Sequence, residues 1–304
     1  MRTLSGILSV LLVFLFVSGR EAGAQEENSN LPWKSLPRFH SLDPGRKKDL
    51  LEALKRESNY GVCKSTVYDC LLLDKPDGTA VRIANLAAFL VSRGVPPNAI
   101  KVLIERRAAF ARKTEIHRFS YENAPTYGSE KAAITLTEFA EFKCPFCATV
   151  SSLLKKLVDD SHGSVRVFFK HFPIMSHPGT MLASTAAAAA QKQGKFWEMA
   201  TLLFQEMDRH DENHVLDLAA DLGLDMGRFK ADLRDPAVTR LVRADKLEGV
   251  RAGVDATPTL FINGKHYDLR SDEALLKDIL NEEAERIGIA PPYKDWVYSG
   301  SPGQ

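Results

Sequence analysis

The stretch Ile134-Thr-Leu-Thr-Glu-Phe-Ala-Glu-Phe-Lys-Cys144-Pro-Phe-Cys147 decides the fold. Ile134 to Phe139 alternate as a half-buried strand does. Directly after the second cysteine, Val150, Leu153, Leu154, Leu157 and Val158 recur at helical spacing. Strand character returns over 165–172, after Gly163, which completes a strand–helix–strand unit whose crossover is long enough for parallel pairing.

Downstream, residues 178–252 are almost wholly helical in pattern, with 183–193 and 196–206 the clearest segments. The five alanines from Ala186 to Ala190 favour helix and close packing. Thr259-Leu-Phe-Ile262 is again a strand, Asn263-Gly264 a two-residue hairpin turn, and 265–268 its return strand. A last helix over 272–286 precedes a polar tail, 291–304. The order is βαβ, helical insertion, ββα, an α/β domain over 131–290.

Upstream, residues 113–130 are polar, with Pro125 and Gly128, and read as a linker. Before it, Leu50/Leu51/Leu54, Ile83/Leu86/Ala87/Leu90 and Ile100/Leu103/Ile104 predict three short helices, a small all-α module over 47–112. Residues 25–46 form a polar arm with Pro32, Pro37 and Pro44. At the start, Arg2, an apolar run over 7–17 and Ala22-Gly23-Ala24 read as a secretory signal peptide, 1–24, against an uncleaved anchor or a buried helix. The run is too short to span a bilayer. The expectation is therefore an exported, periplasmic or otherwise extracytoplasmic protein, soluble after cleavage, in a compartment that permits disulfides.

Composition agrees with an ordinary globular chain: 304 residues, 44% hydrophobic, 40 Lys and Arg against 39 Asp and Glu. No field of one sign exists to gather a polyanion, which argues against nucleic acid as a partner.

A thiol in the first turn of a helix feels free N–H groups and the positive end of the helix dipole, and both favour the thiolate. Cys144 occupies that position, Pro145 suits a first turn where a missing N–H costs little, and Cys147 one turn on is placed to resolve a mixed disulfide. A static disulfide and half of a zinc site are the competing readings. Zinc would need further ligands, and the other two cysteines lie far upstream. No helix pairs histidines with an acid at ligand spacing, and His117, His162, His171, His177, His210, His214 and His266 read mostly as surface or capping residues. Neither metal nor cofactor is expected.

Ala124-Pro125, Tyr127-Gly128, Glu138-Phe139, Phe142-x-Cys144-Pro-Phe-Cys147, Phe172-Pro173, Gly194-Lys-Phe-Trp197, Thr257-Pro258 and Asn263-Gly264 occur in order over about 124–287. In this the chain resembles the thioredoxin superfamily, and within it the DsbA-like thiol–disulfide oxidoreductases, whose thioredoxin core carries an inserted helical domain. The resemblance implies a cis peptide at Pro258 beside the cysteines and a backbone at Thr257 that holds substrate as an added strand. It places Glu138 at the buried acid that assists proton movement; the residue reading alone also allows a side chain reaching solvent at the strand end. The chain departs from the strong oxidants of that branch, which have Pro-His between the cysteines; Phe146 cannot donate to a thiolate, so a less depressed Cys144 and a less oxidising disulfide are expected. Lys143 and Glu141 act on Cys144 in opposite senses. Phe142, Phe146 and Phe172 are candidates for an apolar rim that meets unfolded substrates, with core packing as the alternative for each.

Cys63 and Cys70 would lie about 10 Å apart on an unbroken helix, beyond disulfide reach. A bond between them requires a bend in 64–69. A structural staple, a redox relay with Cys144/Cys147, and free or metal-bound thiols all remain open. The segment 63–110, ending at Arg106-Arg107, distantly resembles the three-helix periplasmic domain of cytochrome c maturation (CcmH-type) thiol proteins.

Together these readings predict an exported thiol–disulfide oxidoreductase acting on cysteine-bearing exported polypeptides, recharged by a membrane thiol-redox partner, in the oxidase direction. A reductase or isomerase, linked to cytochrome c maturation, is the alternative. A binding or chaperone module with an inert disulfide is the alternative of another class.

Overall fold

The computed structural model describes residues 31, 35–269 and 271–294; the expected signal peptide, the first part of the arm and the last ten residues lie outside them. The chain divides into two compact units, Met1–Pro97 and Asn98–Gln304.

The first unit holds helices α1 (Pro37–His40), α2 (Pro44–Arg56), α3 (Val67–Leu71) and α4 (Gly78–Ser92). Asp43 starts α2 by accepting the Arg46 N–H, with Pro44 at the first helical position. Leu50, Leu51 and Leu54 of α2 and Ile83, Leu86 and Leu90 of α4 are buried, as their spacing predicts. Between α2 and α3 the chain doubles back, with Asn59 N on Ser65 O at 2.9 Å and Val67 N on Glu57 O at 2.8 Å. That bend brings Cys63 and Cys70 to a Cα separation of 5.8 Å, and they form a disulfide. Asp77 then fixes the loop. Its carboxylate caps α4 through Thr79 N and Ala80 N and also accepts Val62 N and Cys63 N, all between 2.9 and 3.1 Å. Burial pushes Asp77 up, but these bonds outweigh it and hold the group below the usual carboxylate range.

The second unit is built on a five-stranded sheet, β1 (Thr126–Gly128), β2 (Ile134–Ala140), β3 (Val165–His171), β4 (Thr259–Ile262) and β5 (Lys265–Tyr267), in the order β1-β3-β2-β4-β5. β2 and β3 are parallel, from Ile134↔Val165 to Ala140↔His171; the other pairs are antiparallel. Helix α6 (Pro145–Asp160) makes the crossover. Ile134, Leu136, Val165, Val167, Leu260 and Ile262 meet Val150, Leu154 and Leu157 of α6 and Leu276, Ile279 and Leu280 of α12 (Glu273–Arg286) in one core. The insertion consists of α7 (Thr180–Gln191), α8 (Phe196–Gln205), α9 (Glu212–Asp221), α10 (Met226–Arg234) and α11 (Pro236–Arg251). The fold is therefore α/β and thioredoxin-like, with an inserted helical region and helices before it.

Two anchors fasten α11 to the sheet. Lys170 of β3 reaches Asp245 Oδ1 at 2.7 Å and Glu248 Oε2 at 2.8 Å, while Asp245 Oδ2 accepts His171 N at 3.2 Å. Gly249 lies against two rings, and a Cβ there would stand 2.9 Å from both Phe139 and Phe172.

Three segments differ from the sequence reading. Residues 113–130 are not a free linker: β1 pairs with β3, Phe119 meets Phe139 and Phe261 edge-on at 5.3 and 4.8 Å, and Tyr121 stacks on Phe168 at 4.0 Å. Helix α5 (Pro97–Arg112), read as the third helix of the N-terminal module, lies in the second unit in all but its first residue. Its Phe110 joins that unit's core, and its buried Arg107 pairs with Asp278 and Glu282 of α12. The start of the tail is also engaged, since Tyr293 donates to Leu157 O at 2.8 Å and exchanges hydrogen bonds with Asn281.

Candidate active site

β2 ends at Ala140, and the turn 141–144 delivers Cys144 as the N-cap of α6, with extended backbone and Pro145 next. The cap is a sulfur: Cys144 Sγ accepts the Cys147 N–H at 3.4 Å. Opposite stands Thr257, joined to Pro258 by a cis peptide just before β4, and its carbonyl accepts the Cys144 thiol at 3.5 Å. Both thiols are free; Cys144 is 8% exposed and Cys147 is fully enclosed.

These surroundings separate the two sulfurs. The Cys147 thiol, then the Cys147 N–H, the Thr257 side chain and the Phe146 N–H outweigh burial and bring Cys144 down from 9.0 to about 6. Burial first, then the neighbouring Cys144 sulfur and Glu138, push Cys147 far up. One sulfur is a thiolate at neutral pH and the other keeps its proton.

Glu138 is enclosed, which removes the solvent-reaching alternative. It lies on the α6 face of β2, where Ser151 Oγ donates to its carboxylate at 2.8 and 2.9 Å. Burial pushes Glu138 up from 4.5 to about 8, with the Cys144 charge adding to the rise and Ser151 opposing it.

The structure thus brings together Cys144, Cys147, Glu138, Thr257 and Pro258, whereas Cys63 and Cys70 belong to the first unit. Of the three candidate rim phenylalanines, Phe146 alone is exposed, at 75%; Phe142 stacks on Phe169 at 5.5 Å and Phe172 is buried against Phe139. Of the histidines, read mostly as surface or capping residues, His171, His210 and His214 are buried. His171 sits among Phe142, Phe169 and Phe196, and burial with the nearby Lys170 charge brings it down to about 3, so it is neutral. Sequence reasoning missed Ser151, although its position one turn after Cys147 puts it on the buried side of α6. It also missed that Glu141 is enclosed and contacts His177 and Thr180.

The site pairs a lowered, helix-capping Cys144 with an enclosed Cys147 in a Cys-x-x-Cys motif, an arrangement suited to thiol–disulfide exchange. Among proteins of known structure, the chain is similar to a thioredoxin-like oxidoreductase from Silicibacter pomeroyi, at 26% identity over 54% of this chain and 93% of that one, with a TM-score of 0.49. It is also similar to BdbD from Bacillus subtilis, at 24% identity over 56% and 97% of the two chains, with a TM-score of 0.49. Among curated sequences, it is 36% identical over 154 residues to a Na(+)/H(+) antiporter NhaA of Herminiimonas arsenicoxydans, which is 49% of this chain and 24% of that protein. The chain thus spans about a quarter of the length of the curated relatives it matches. The thioredoxin family described as Thioredoxin_4 matches residues 120–282, from the segment lying on the sheet through the cysteine pair and the insertion into α12. Since that match takes in more than half of the chain and every element of the site, the chain belongs to the Thioredoxin_4 family of thioredoxins.

Proposed function

We propose that this thiol–disulfide oxidoreductase works as an oxidase, donating a Cys144–Cys147 disulfide to cysteines of exported polypeptides. The observation that carries the reading is the unequal standing of the two sulfurs. A thiolate stabilised at Cys144 favours the dithiol form, and a protein whose dithiol is favoured holds an oxidising disulfide.

In the forward direction a substrate thiolate attacks Cys144 Sγ, the Cys144–Cys147 bond breaks, and Cys147 leaves with the electron pair. Protonated Glu138 supplies the proton that the buried Cys147 needs. A second substrate thiolate then attacks the first substrate sulfur and expels Cys144 as its stabilised thiolate. Two substrate thiolates become one disulfide, and the two electrons remain in Cys144 and Cys147. Thr257 offers its backbone to an extended substrate strand. A membrane thiol-redox partner restores the disulfide.

The leader-like residues 1–24 support export. The antiporter activity named for the curated relatives describes proteins about four times as long as the matched part, and it is not assigned to this chain. Equilibration with glutathione, read by Cys144 alkylation, tests the oxidase direction. A potential near about −120 to −150 mV supports disulfide donation, about −250 mV or below makes the protein a reductase or isomerase, and a pair that never reduces under mild thiol makes the disulfide inert.

A further inference from the structure

The nucleophile turn is held by a carboxylate that takes no part in the exchange just described. Glu141 lies three residues before Cys144, and its side chain is fully enclosed. Its main chain engages both cysteines. The Glu141 carbonyl accepts the Cys144 N–H at 3.4 Å, and a Glu141 backbone hydrogen bond works against the rise of Cys147. Its side chain faces the other way, into the segment 173–180 that leads from β3 to the insertion. There the carboxylate accepts the Thr180 hydroxyl and the Ile174 N–H, at 3.5 Å, and pairs with His177 Nδ1.

That segment is itself tightly specified. His177 N bonds Ile174 O at 2.8 Å and Thr180 N bonds His177 O at 3.3 Å. Gly179 has a left-handed φ of +80°, and a Cβ there would come within 2.6 Å of His210 O. A buried carboxylate without its donors is costly, so the three bonds act as one unit. The charged and titratable groups around it are Lys143 on the same turn, His177 on the segment and His210 from the loop after α8, where His210 feels both Glu141 and Lys143. Glu138 and Cys147 face Cys144 from β2 and α6.

We propose that Glu141 is a positioning residue, whose bonds to Thr180, His177 and Ile174 hold the turn 141–144 so that Cys144 Sγ stays aligned with the Cys147 N–H. The inference rests on the exchange reading above, because alignment matters only for a working nucleophile. It makes the first helix of the insertion part of the apparatus that sets thiolate character.

The test titrates Cys144 in the reduced full chain by iodoacetamide alkylation rate against pH, in wild type, Thr180→Val and Glu141→Gln. Thr180→Val keeps the carboxylate and removes one bond, and it stands if Glu141→Gln fails to fold. Positioning predicts a rise of about one pH unit in the Cys144 midpoint for both variants. From a midpoint of about 6, that slows alkylation at pH 5.5 by about eightfold. Folded variants that titrate as wild type does would overturn the proposal. So would a lower midpoint in Glu141→Gln, which would make Glu141 a repelling charge alone. Glutathione exchange by wild type is scored separately: its absence sinks the oxidoreductase reading, while the alkylation profile still decides whether Glu141 positions the sulfur.

Discussion

Ser151 donates its hydroxyl to both carboxylate oxygens of Glu138, at 2.9 and 2.8 Å, one turn beyond Cys147 on the same helix. The acid is thereby fixed where its charge bears on Cys147, the sulfur that gains or loses a proton in the proposed exchange. Replacing Glu138 with Gln keeps the shape and removes the proton, and release of Cys147 is expected to slow about tenfold or more at pH 7, measured by stopped-flow oxidation of a dithiol peptide. An unchanged rate would remove Glu138 from the proton path.

The same residue sets a pH dependence of stability. Glu138 titrates near 8 in the folded protein against 4.5 for the free group, so between those values the native state binds the extra proton. Its contribution is least costly below about pH 4.5, and stability declines as pH rises toward 8. Glu138→Gln should therefore melt at least about 3 °C above wild type at pH 9, with the gain shrinking to nothing by pH 4. Equal differences at both pH values would contradict the burial argument.

Cys147 is the largest influence lowering Cys144. In Cys147→Ala the N–H at the helix start remains and the thiol donor is lost, so the Cys144 midpoint should move up from about 6 toward, but not to, 9. Thiolate absorbance against pH measures it. A midpoint still near 6 would assign the whole effect to the helix terminus.

The Cys63–Cys70 disulfide closes a short ring with a sequence separation of 7. Chain entropy gives such a ring about 2–3 kcal/mol, so the double Cys→Ser variant should lose that much stability in denaturant unfolding followed in the first unit. Under the staple reading, exchange by Cys144 is unaffected. Full stability with lost turnover would favour the relay.

Gly249→Ala places a methyl carbon 2.9 Å from Phe139 and Phe172, where two rings and a helix already meet the sheet. The expected loss is about 1–3 kcal/mol in thermal unfolding, with no shift in the Cys144 midpoint. A stability equal to wild type would show that α11 rides over the sheet more loosely than the contact distances imply.

Elements whose signals are local were legible before any coordinates. Cys144, Pro145 and Cys147 announce a helix start within four residues, and β2, α6, β3 and the β4–β5 hairpin follow from short-range period and turn chemistry. What escaped depends on partners remote in sequence. Arg107 looked like the end of an N-terminal helix because Asp278 and Glu282, which bury it, lie far downstream. Glu141 was legible only as a charge near Cys144, because its partners His177 and Thr180 are 36 and 39 residues away. β1, three residues long, exists only because β3 offers it an edge. His171 escaped for the same reason, since nothing local distinguishes it from an exposed imidazole until Phe142, Phe169 and Phe196 close around it.

Complete enclosure of Cys147 beside a Cys144 that is 8% exposed imposes an order on events. A visiting chain meets a single door: every covalent encounter begins and ends on the outer sulfur, and the inner one communicates with the world only through it. A chain lacking the inner sulfur could no longer expel a visitor from within, so one attached through a lone cysteine would stay until an outside thiol removed it.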